Sequence, residues 1–392
     1  MKDRIVYIAD KTIEFSLYIM LISIPFSKAA IESCFGVILL GFIIKKWLKP
    51  DFEFFKSPPY YFLASFILFC VLSMVNSGPY LQKSLSAFVF KWLENIMIFI
   101  IIQDCIALDH RRLRNMLAVL IAASVLMGLD GIYQQFARVD FLRHRDIPLK
   151  APITATFKNQ NSFAGYLLPL LLLVIPLISL KNTKKSHKVL LALLSILLAA
   201  CLVLTFSRGA WLGFFIAIIV MIILAPQRKL LLFIFGIFFA ALIIIPGSRS
   251  DIIAIFQSRG YADRFTLWRT AWHIILENPF LGKGLGTYMD YFSKYDYVPD
   301  KLIYYAHNCF LQIWAETGIF ALLSFMGFLG AILLKGATAF KKNHDFITLG
   351  LLCALVGLTV HSMFDVHLYS LQLSVIFWSI AGILYARSQQ HP

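Results

Sequence analysis

VLLALLSILLAACLVLTFSRGAWLGFFIAIIVMIILAP, residues 189–226, carries a single charged side chain, Arg208. A helix needs roughly 20 apolar residues to cross a bilayer. This segment offers two such stretches, 189–206 and 209–226, with the arginine at their joint. The same reading recurs outward along the chain at 12–27, 29–44, 59–76, 86–106, 115–134, 162–180, 229–246, 309–334, 346–363 and 369–386, for twelve candidate spans. No ten-residue segments alternate polar and apolar residues, the pattern of a membrane β-barrel. The sequence therefore predicts an all-α polytopic membrane protein, residues 1–392 forming a single transmembrane domain.

Composition agrees. Of 392 residues, 59% are hydrophobic and 15% charged, and the mean hydropathy is +0.77. Soluble domains run nearer 45–50% apolar and about 25% charged. A soluble globular enzyme and a disordered chain are both excluded. The six cysteines lie in or beside apolar stretches without a CxxC pair, so neither a disulfide framework nor a zinc site is indicated. Lys2 and Arg4 before the first span, with Ser27-Lys28-Ala29 after it, faintly resemble a signal peptide. Eleven further spans favour a retained first helix.

A net charge of +15 suggests a nucleic-acid binder until the charges are placed. Twenty of the 36 basic residues fall on alternate connections, among them Lys2, Arg4 and Lys11, Lys45, Lys46 and Lys49, Arg111, Arg112 and Arg114, and Lys181–Lys188. This is the positive-inside pattern, and it sets both termini in the cytoplasm. Two longer segments on the other side break the bias. Residues 135–160 carry Arg138, Arg143, Arg145, Lys150 and Lys158; residues 247–308 carry Arg249, Arg259, Arg264, Arg269, Lys283, Lys294 and Lys301. Long loops translocate regardless of charge, so topology permits this basicity without explaining it. The 247–308 segment reads as an outer lid. Pro246-Gly247 opens it, a helix follows at about 261–277, then Asn278-Pro279, a glycine-rich turn at 282–286 and an aromatic run, Tyr288–Tyr305. The glycine-rich turn matches neither a Walker nor a Rossmann fingerprint.

Four motifs on that side carry possible chemistry. Arg208 sits at a membrane boundary where charge is costly unless partnered, although a snorkelling arginine also fits. In Asp263–His273, Arg264, Trp268 and Trp272 share one helix face, and Arg269 pairs with His273. An interfacial amphipathic helix would use tryptophan in the same way, while the Arg264 guanidinium suits phosphate oxygens. Asn308, Gln312 and Glu316 form a polar stripe where the chain re-enters the membrane, with His307 at its outer end as a candidate base. His361 and Asp365 are i, i+4 partners near His367, a hydrogen-bond cluster or, less favoured, a metal site. Within the bilayer, the spacing of Lys91 and Glu94 predicts a mutual ion pair.

Together these blocks resemble the O-antigen ligase and polymerase superfamily of bacterial envelope membrane proteins. The resemblance rests on residues 205–211, on Asp263-Arg264 with Trp268 and 278–284, on His307-Asn308 with Glu316-Thr317-Gly318, and on 156–161 with Ala164-Gly165-Tyr166. It implies a fold of the integral-membrane glycosyltransferase (GT-C-like) type in the inner membrane, acting at the periplasmic face without metal or other cofactor. It also implies a glycan donor on undecaprenyl diphosphate and, for a ligase, a lipid A-core sugar as acceptor. For a polymerase the acceptor is another lipid-linked repeat unit. The family's two functional arginines fall on Arg208 and Arg264, and its histidine on His307. Where family members carry a further histidine before the His-Asn pair, this chain has Tyr305 and Ala306.

The residues support the same chemistry. Departure of a diphosphate creates charge that fixed arginines stabilise, so Arg208 and Arg264 are expected as a clamp and His307 as the general base. Glu316 is the alternate base or the group that orients the site. Arg143, Arg145, Lys158, Arg269, Trp268, Asn308, His361 and Asp365 are expected to bind substrate, and Tyr288, Tyr291, Tyr295, Tyr304 and Tyr305 stack on sugars or form an interfacial belt. Membrane lipids, and no nucleic acid, are the other expected partners. A twelve-span transporter is the rival class. Transporters place ionisable groups near the midplane of two related halves, whereas here the candidates lie at one surface.

Overall fold

The computed structural model describes residues 1–51, 56–149, 151–180, 183–245, 247, 262–292, 294–295 and 305–390. Lys150, Lys181, Pro246, Arg249, Arg259, Lys301 and Tyr304, named above, lie outside these. Among the described residues the fold is helical throughout, with one isolated bridge between Val139 and Asp146. In chain order the helices are α1 (Lys2–Ser23), α2 (Lys28–Leu48), α3 (Pro58–Ser73), α4 (Leu81–Ala87), α5 (Glu94–Leu108), α6 (His110–Ala137), α7 (Gln160–Leu177), α8 (Lys185–Leu204), α9 (Arg208–Leu224) and α10 (Arg228–Ile244). Then follow α11 (Ala262–Glu277), α12 (Tyr288–Phe292), α13 (Cys309–Asn343), α14 (Phe346–His361) and α15 (Leu371–Gln389).

By length and composition, six helical stretches are suited to crossing a membrane: Pro58–Ala107, Arg111–Ala137, Gln160–Leu177, Lys185–Leu204, Cys309–Asn343 and Leu371–Gln389. The first joins two of the expected spans through a kink at Gly78 (φ +53°). Helices α9 and α14 are apolar but shorter. Helices α1 and α2 have the expected length, yet Asp10, Glu14, Lys45 and Lys46 interrupt their apolar surface.

Helix α7 runs through the core and is buried from Phe163 to Leu177. Small residues let α14 lie close against α7 and α9. A Cβ on Gly350 would stand 2.7 Å from the Leu173 carbonyl oxygen, and one on Gly213 2.7 Å from that of Gly357. In lipid, where apolar contact with a neighbouring helix gains little over contact with acyl chains, such close backbone approach is a main source of helix association.

Polar contacts sort to the two ends of the bundle. At one end, Lys45 bridges Asp10 (3.0 Å) and Asp104 (2.5 Å), Lys46 reaches Asp104 (2.6 Å), and Arg112 binds Asp10 and Glu14 (3.1 Å to the latter). Arg387 binds Asp345 at 2.9 Å at the α13–α14 and α15 termini. Lys45, Lys46 and Arg112, three of the basic residues that mark topology in the sequence, thus also neutralise carboxylates inside the bundle. At the other end, Thr156 donates to the Pro25 carbonyl (2.6 Å), Asn76 to that of Gly282 (2.9 Å), and Ser207 meets Asn161.

Lys91 and Glu94 do not form the expected ion pair among the described residues. Phe88–Leu93 is a π-helical turn, and its wider winding turns residues three apart away from the common face they share on an α-helix. The Lys91 charge instead acts on Glu316.

Asp104→Asn would leave Lys45 and Lys46 side by side without their shared counter-charge. The expected cost is about 3–5 kcal/mol, read as a lowered thermal midpoint of the detergent-purified protein. Arg111→Gln, on an exposed position of the same end, should stay within about 0.5 kcal/mol of the parent.

Candidate functional site

The joint between α8 and α9 turns in three residues because Phe206 adopts a left-handed conformation (φ +51°). Ser207 then starts α9. Its hydroxyl donates to Asn161 Oδ1 at 2.9 Å and lies 3.3 Å from His361 Nε2. A Cβ on Gly209 would fall 2.8 Å from Phe364 Cβ and 3.0 Å from His361 Cδ2, so the first turn of α9 packs directly on residues 361–364. Arg208, half-buried, is the first residue of that helix. A cation gains nothing from the helix dipole at an N-terminus. Arginine and helix end together favour an arriving anion.

Helix α11 also reaches this turn. The Trp268 ring lies 6.3 Å from that of Phe364, and Arg264 is close enough to His361 for its charge to act on the imidazole. Trp272 packs edge-on against Trp314 at 5.5 Å, while Arg269 is exposed. The shared face of Arg264, Trp268 and Trp272 therefore points Arg264 and Trp268 at the turn and anchors Trp272 on α13.

His307 arrives from the third direction. Its Nδ1 lies 3.2 Å from Asp365 Oδ1, and its backbone is left-handed (φ +46°), a conformation that costs a residue other than glycine about 1–3 kcal/mol. Asn308 caps α13, its Oδ1 accepting from the Phe310 and Leu311 N–H groups at 3.0 and 3.1 Å. Cys309 N–H donates to the Ser362 carbonyl at 2.8 Å, which locks the end of α13 to the turn. Burial would raise the Asp365 carboxyl, but the His307 hydrogen bond and the charges of His367, His307 and His361 hold it below the usual carboxylate range. Asp365 is therefore ionised at neutral pH. With Nδ1–H donated to it, a neutral His307 ring carries its lone pair on Nε2.

His361 and His367 stack edge-on at 4.1 Å, both buried, with Ser362 Oγ 3.2 Å from His367 Nδ1. Burial pushes His367 below its ordinary value, with Asp365 opposing. Among the described residues, no three His, Cys, Asp or Glu side chains form a metal-holding group.

Helix α13 is broken at Gly318 (φ +82°, ψ 173°). The loop after α11 runs beside the break and supplies the missing backbone bonds. Lys283 N–H donates to the Ala315 carbonyl (3.0 Å), Gly284 N–H to that of Glu316 (2.8 Å), and Ile319 N–H to that of Pro279 (2.9 Å). The fit requires glycine on both partners. A Cβ on Gly318 would stand 2.0 Å from the Phe280 oxygen, and one on Gly282 2.4 Å from the Glu316 carbonyl carbon. The glycine-rich turn is visible in the sequence, whereas its partner at the break is marked only by the lone Gly318.

The remaining candidates lie elsewhere. Arg143 donates to the Phe26 carbonyl, and Arg145 to Asp140 (3.3 Å) and to the carbonyls of Ala155 (2.8 Å) and Phe157 (3.1 Å). Among the described residues neither makes a hydrogen bond to the 361–367 turn; both brace the 138–157 segment. Lys158 is exposed. Tyr288 and Tyr291 are buried in the packing of α11 and α12, Tyr295 stacks on His273 at 6.0 Å, and Tyr305 lies against Tyr369 at 5.9 Å.

Residues 193–326 match the O-antigen ligase family (Wzy_C). The chain is 25% identical over 304 residues to the O-antigen ligase of Salmonella typhimurium, covering 73% of this chain and 72% of that protein. It is 28% identical over 263 residues to the teichuronic acid biosynthesis protein TuaE of Bacillus subtilis, covering 61% of this chain and 54% of that protein. These matches support the O-antigen ligase superfamily to which the motifs point, and with it a multi-pass membrane protein.

The depressed Asp365 carboxyl gives a signed expectation. A group held low in the folded state stabilises fully above its unfolded value of 3.8 and loses that contribution as pH falls toward the folded value. Asp365→Asn should lower the thermal midpoint by a constant amount above about pH 5. The gap to the parent should narrow below about pH 4; a gap that widens on acidification would contradict the assignment.

Proposed function

We propose that this chain is a membrane glycosyltransferase of the O-antigen ligase type. It moves a glycan from undecaprenyl diphosphate to a sugar hydroxyl of a lipid A-core acceptor at the periplasmic face of the bacterial inner membrane. The supporting observation is the meeting of four motifs, far apart in sequence, at the single turn 361–367. Twelve spans of GT-C-like character, with both termini cytoplasmic, accord with the sorting of contacts. Connections of one parity touch at one end of the bundle, and those of the other parity hold the Asp10–Lys45–Asp104 network at the opposite end.

The chemistry is an inverting displacement. The acceptor oxygen attacks the anomeric carbon, the bond from that carbon to the diphosphate oxygen breaks, and the diphosphate leaves with the electron pair. Arg208, beside the N-terminus of α9, and Arg264 stabilise the charge that develops there, the work a divalent metal does in many soluble transferases. His307 Nε2 takes the acceptor proton, and Asp365, ionised, orients the ring and stabilises the imidazolium that forms. Trp268, Arg269, Asn308 and His361 border the substrate, and Arg143, Arg145 and Lys158 contribute a positive field on approach.

A second reading has a specific observation in its favour. The similarity to a protein named for teichuronic acid biosynthesis fits an acceptor that is itself a lipid-linked glycan, with the chain acting as a polymerase. The glycan pattern of a deletion strain separates the two. Loss of all long glycan with lipid-linked polymer accumulating marks a ligase; core bearing one repeat unit marks a polymerase.

Charge-conserving Arg208→Lys and Arg264→Lys should each lower transfer by on the order of 10²-fold, because a point charge does not replace a bidentate fork. Near-parental glycan attachment in both would overturn the clamp. His307→Ala should lose about 10²–10⁴-fold in a purified transfer assay, and full activity would dismiss it as the base.

A further inference from the structure

Glu316 is 1% exposed, and its carboxylate accepts hydrogen bonds from three separate parts of the fold. Gly286 N–H on the loop after α11 donates at 2.9 Å, Gln312 Nε2 one turn earlier on α13 at 3.1 Å, and the Tyr369 hydroxyl at 3.1 Å. Tyr369 closes the short 3₁₀ turn that begins at His367, two residues after Asp365. Gln312 carries the constraint onward, because its Oε1 accepts from the Ala306 N–H at 3.3 Å, immediately before His307. His307 stands in a left-handed conformation that persists only where its surroundings over-determine it.

A general base needs a lone pair that a substrate hydroxyl can reach. At this burial the Glu316 carboxylate faces protein, and both of its oxygens are engaged. What it joins is informative. One donor belongs to the loop that continues the Arg264 helix, one to the turn that carries Asp365, and one relays to the backbone of His307. The loop itself is held at the Gly318 break by the Lys283, Gly284 and Ile319 bonds, which brings Gly286 within reach of the carboxylate.

We propose that Glu316 is the positioning residue of the transfer site. Its carboxylate ties the loop after α11, the segment after Asp365 and, through Gln312, the Ala306 backbone beside His307 into one frame, and it takes no proton from substrate. The inference rests on the transferase reading above and selects between the two roles that the sequence leaves open for this residue. Gln312 is its relay to the histidine.

The experiment measures kcat and KM of the purified full-length chain with undecaprenyl-diphosphate-linked glycan and lipid A-core acceptor, across about pH 5 to 9. It compares the parent, Glu316→Gln and Gln312→Leu. Misplacement of the base by about 1 Å costs on the order of 10²-fold, and a fall of that size in kcat is expected for Glu316→Gln. The rise of activity with pH should keep the parental position and shape, because the base is still His307. Gln312→Leu, which cuts the relay but leaves the Gly286 and Tyr369 bonds, should also lower kcat with the rise in place, and it carries the test if Glu316→Gln does not fold. A flat pH profile in Glu316→Gln would make the carboxylate the base and overturn the proposal, as would parental kcat in either variant. A parent chain that transfers no glycan would instead sink the transferase reading.

Discussion

A backbone group inside a membrane protein must find a partner within the protein, because the surrounding lipid offers none. The break at Gly318 leaves α13 unable to supply its own, and the loop from Pro279 to Gly286 fills the gap. Much of the candidate site depends on that substitution. It fixes where α11 ends, and so where Arg264 and Trp268 point. It also brings Gly286 to Glu316, which binds Tyr369 directly and reaches the Ala306 backbone through Gln312. The interruption of a helix long and apolar enough to cross a membrane thereby becomes the anchor of the loop after α11.

Strain and charge are distributed in keeping with that frame. The two left-handed residues that flank the site, Phe206 and His307, each precede a helix start, and each delivers a polar side chain to the 361–367 turn. Such conformations carry a cost met by the surrounding packing. The opposite end of the bundle treats charge differently. There Asp10, Glu14 and Asp104 are matched by Lys45, Lys46 and Arg112, a closed network suited to stability. At the candidate site, Arg208 and Arg264 lie near the buried His361 and His367, with the ionised Asp365 held by His307.

Much of this was legible in the sequence, for reasons that are local. Hydropathy places the helices because burial in lipid is a property of each segment, and the α11 boundaries fall within a residue of the expected 261–277. Arg208 stands out in the sequence because charge is out of place at an apolar boundary, and His361 and Asp365 because they sit one helical turn apart. What the sequence could not convey was long-range. The backbone partner of Gly284 is Glu316, 32 positions away, and no local pattern pairs two irregular backbones. Lys91 and Glu94 do not pair as an i, i+3 spacing suggests, because that spacing meets on an α-helix whereas this turn is π. Arg143 and Arg145 carry the right charge, but their hydrogen bonds go to backbone carbonyls of loops and helix ends, which a charge count does not reveal.

The central claim is that Arg208 and Arg264, 56 positions apart, act on one leaving group. A double-mutant cycle on kcat/KM tests it directly, with Arg208→Lys, Arg264→Lys and the double variant assayed for transfer from undecaprenyl-diphosphate-linked glycan. Groups that stabilise the same charge are coupled, so the double variant should lose little more than the worse single variant. Losses that simply multiply would show two independent arginines and contradict a shared clamp.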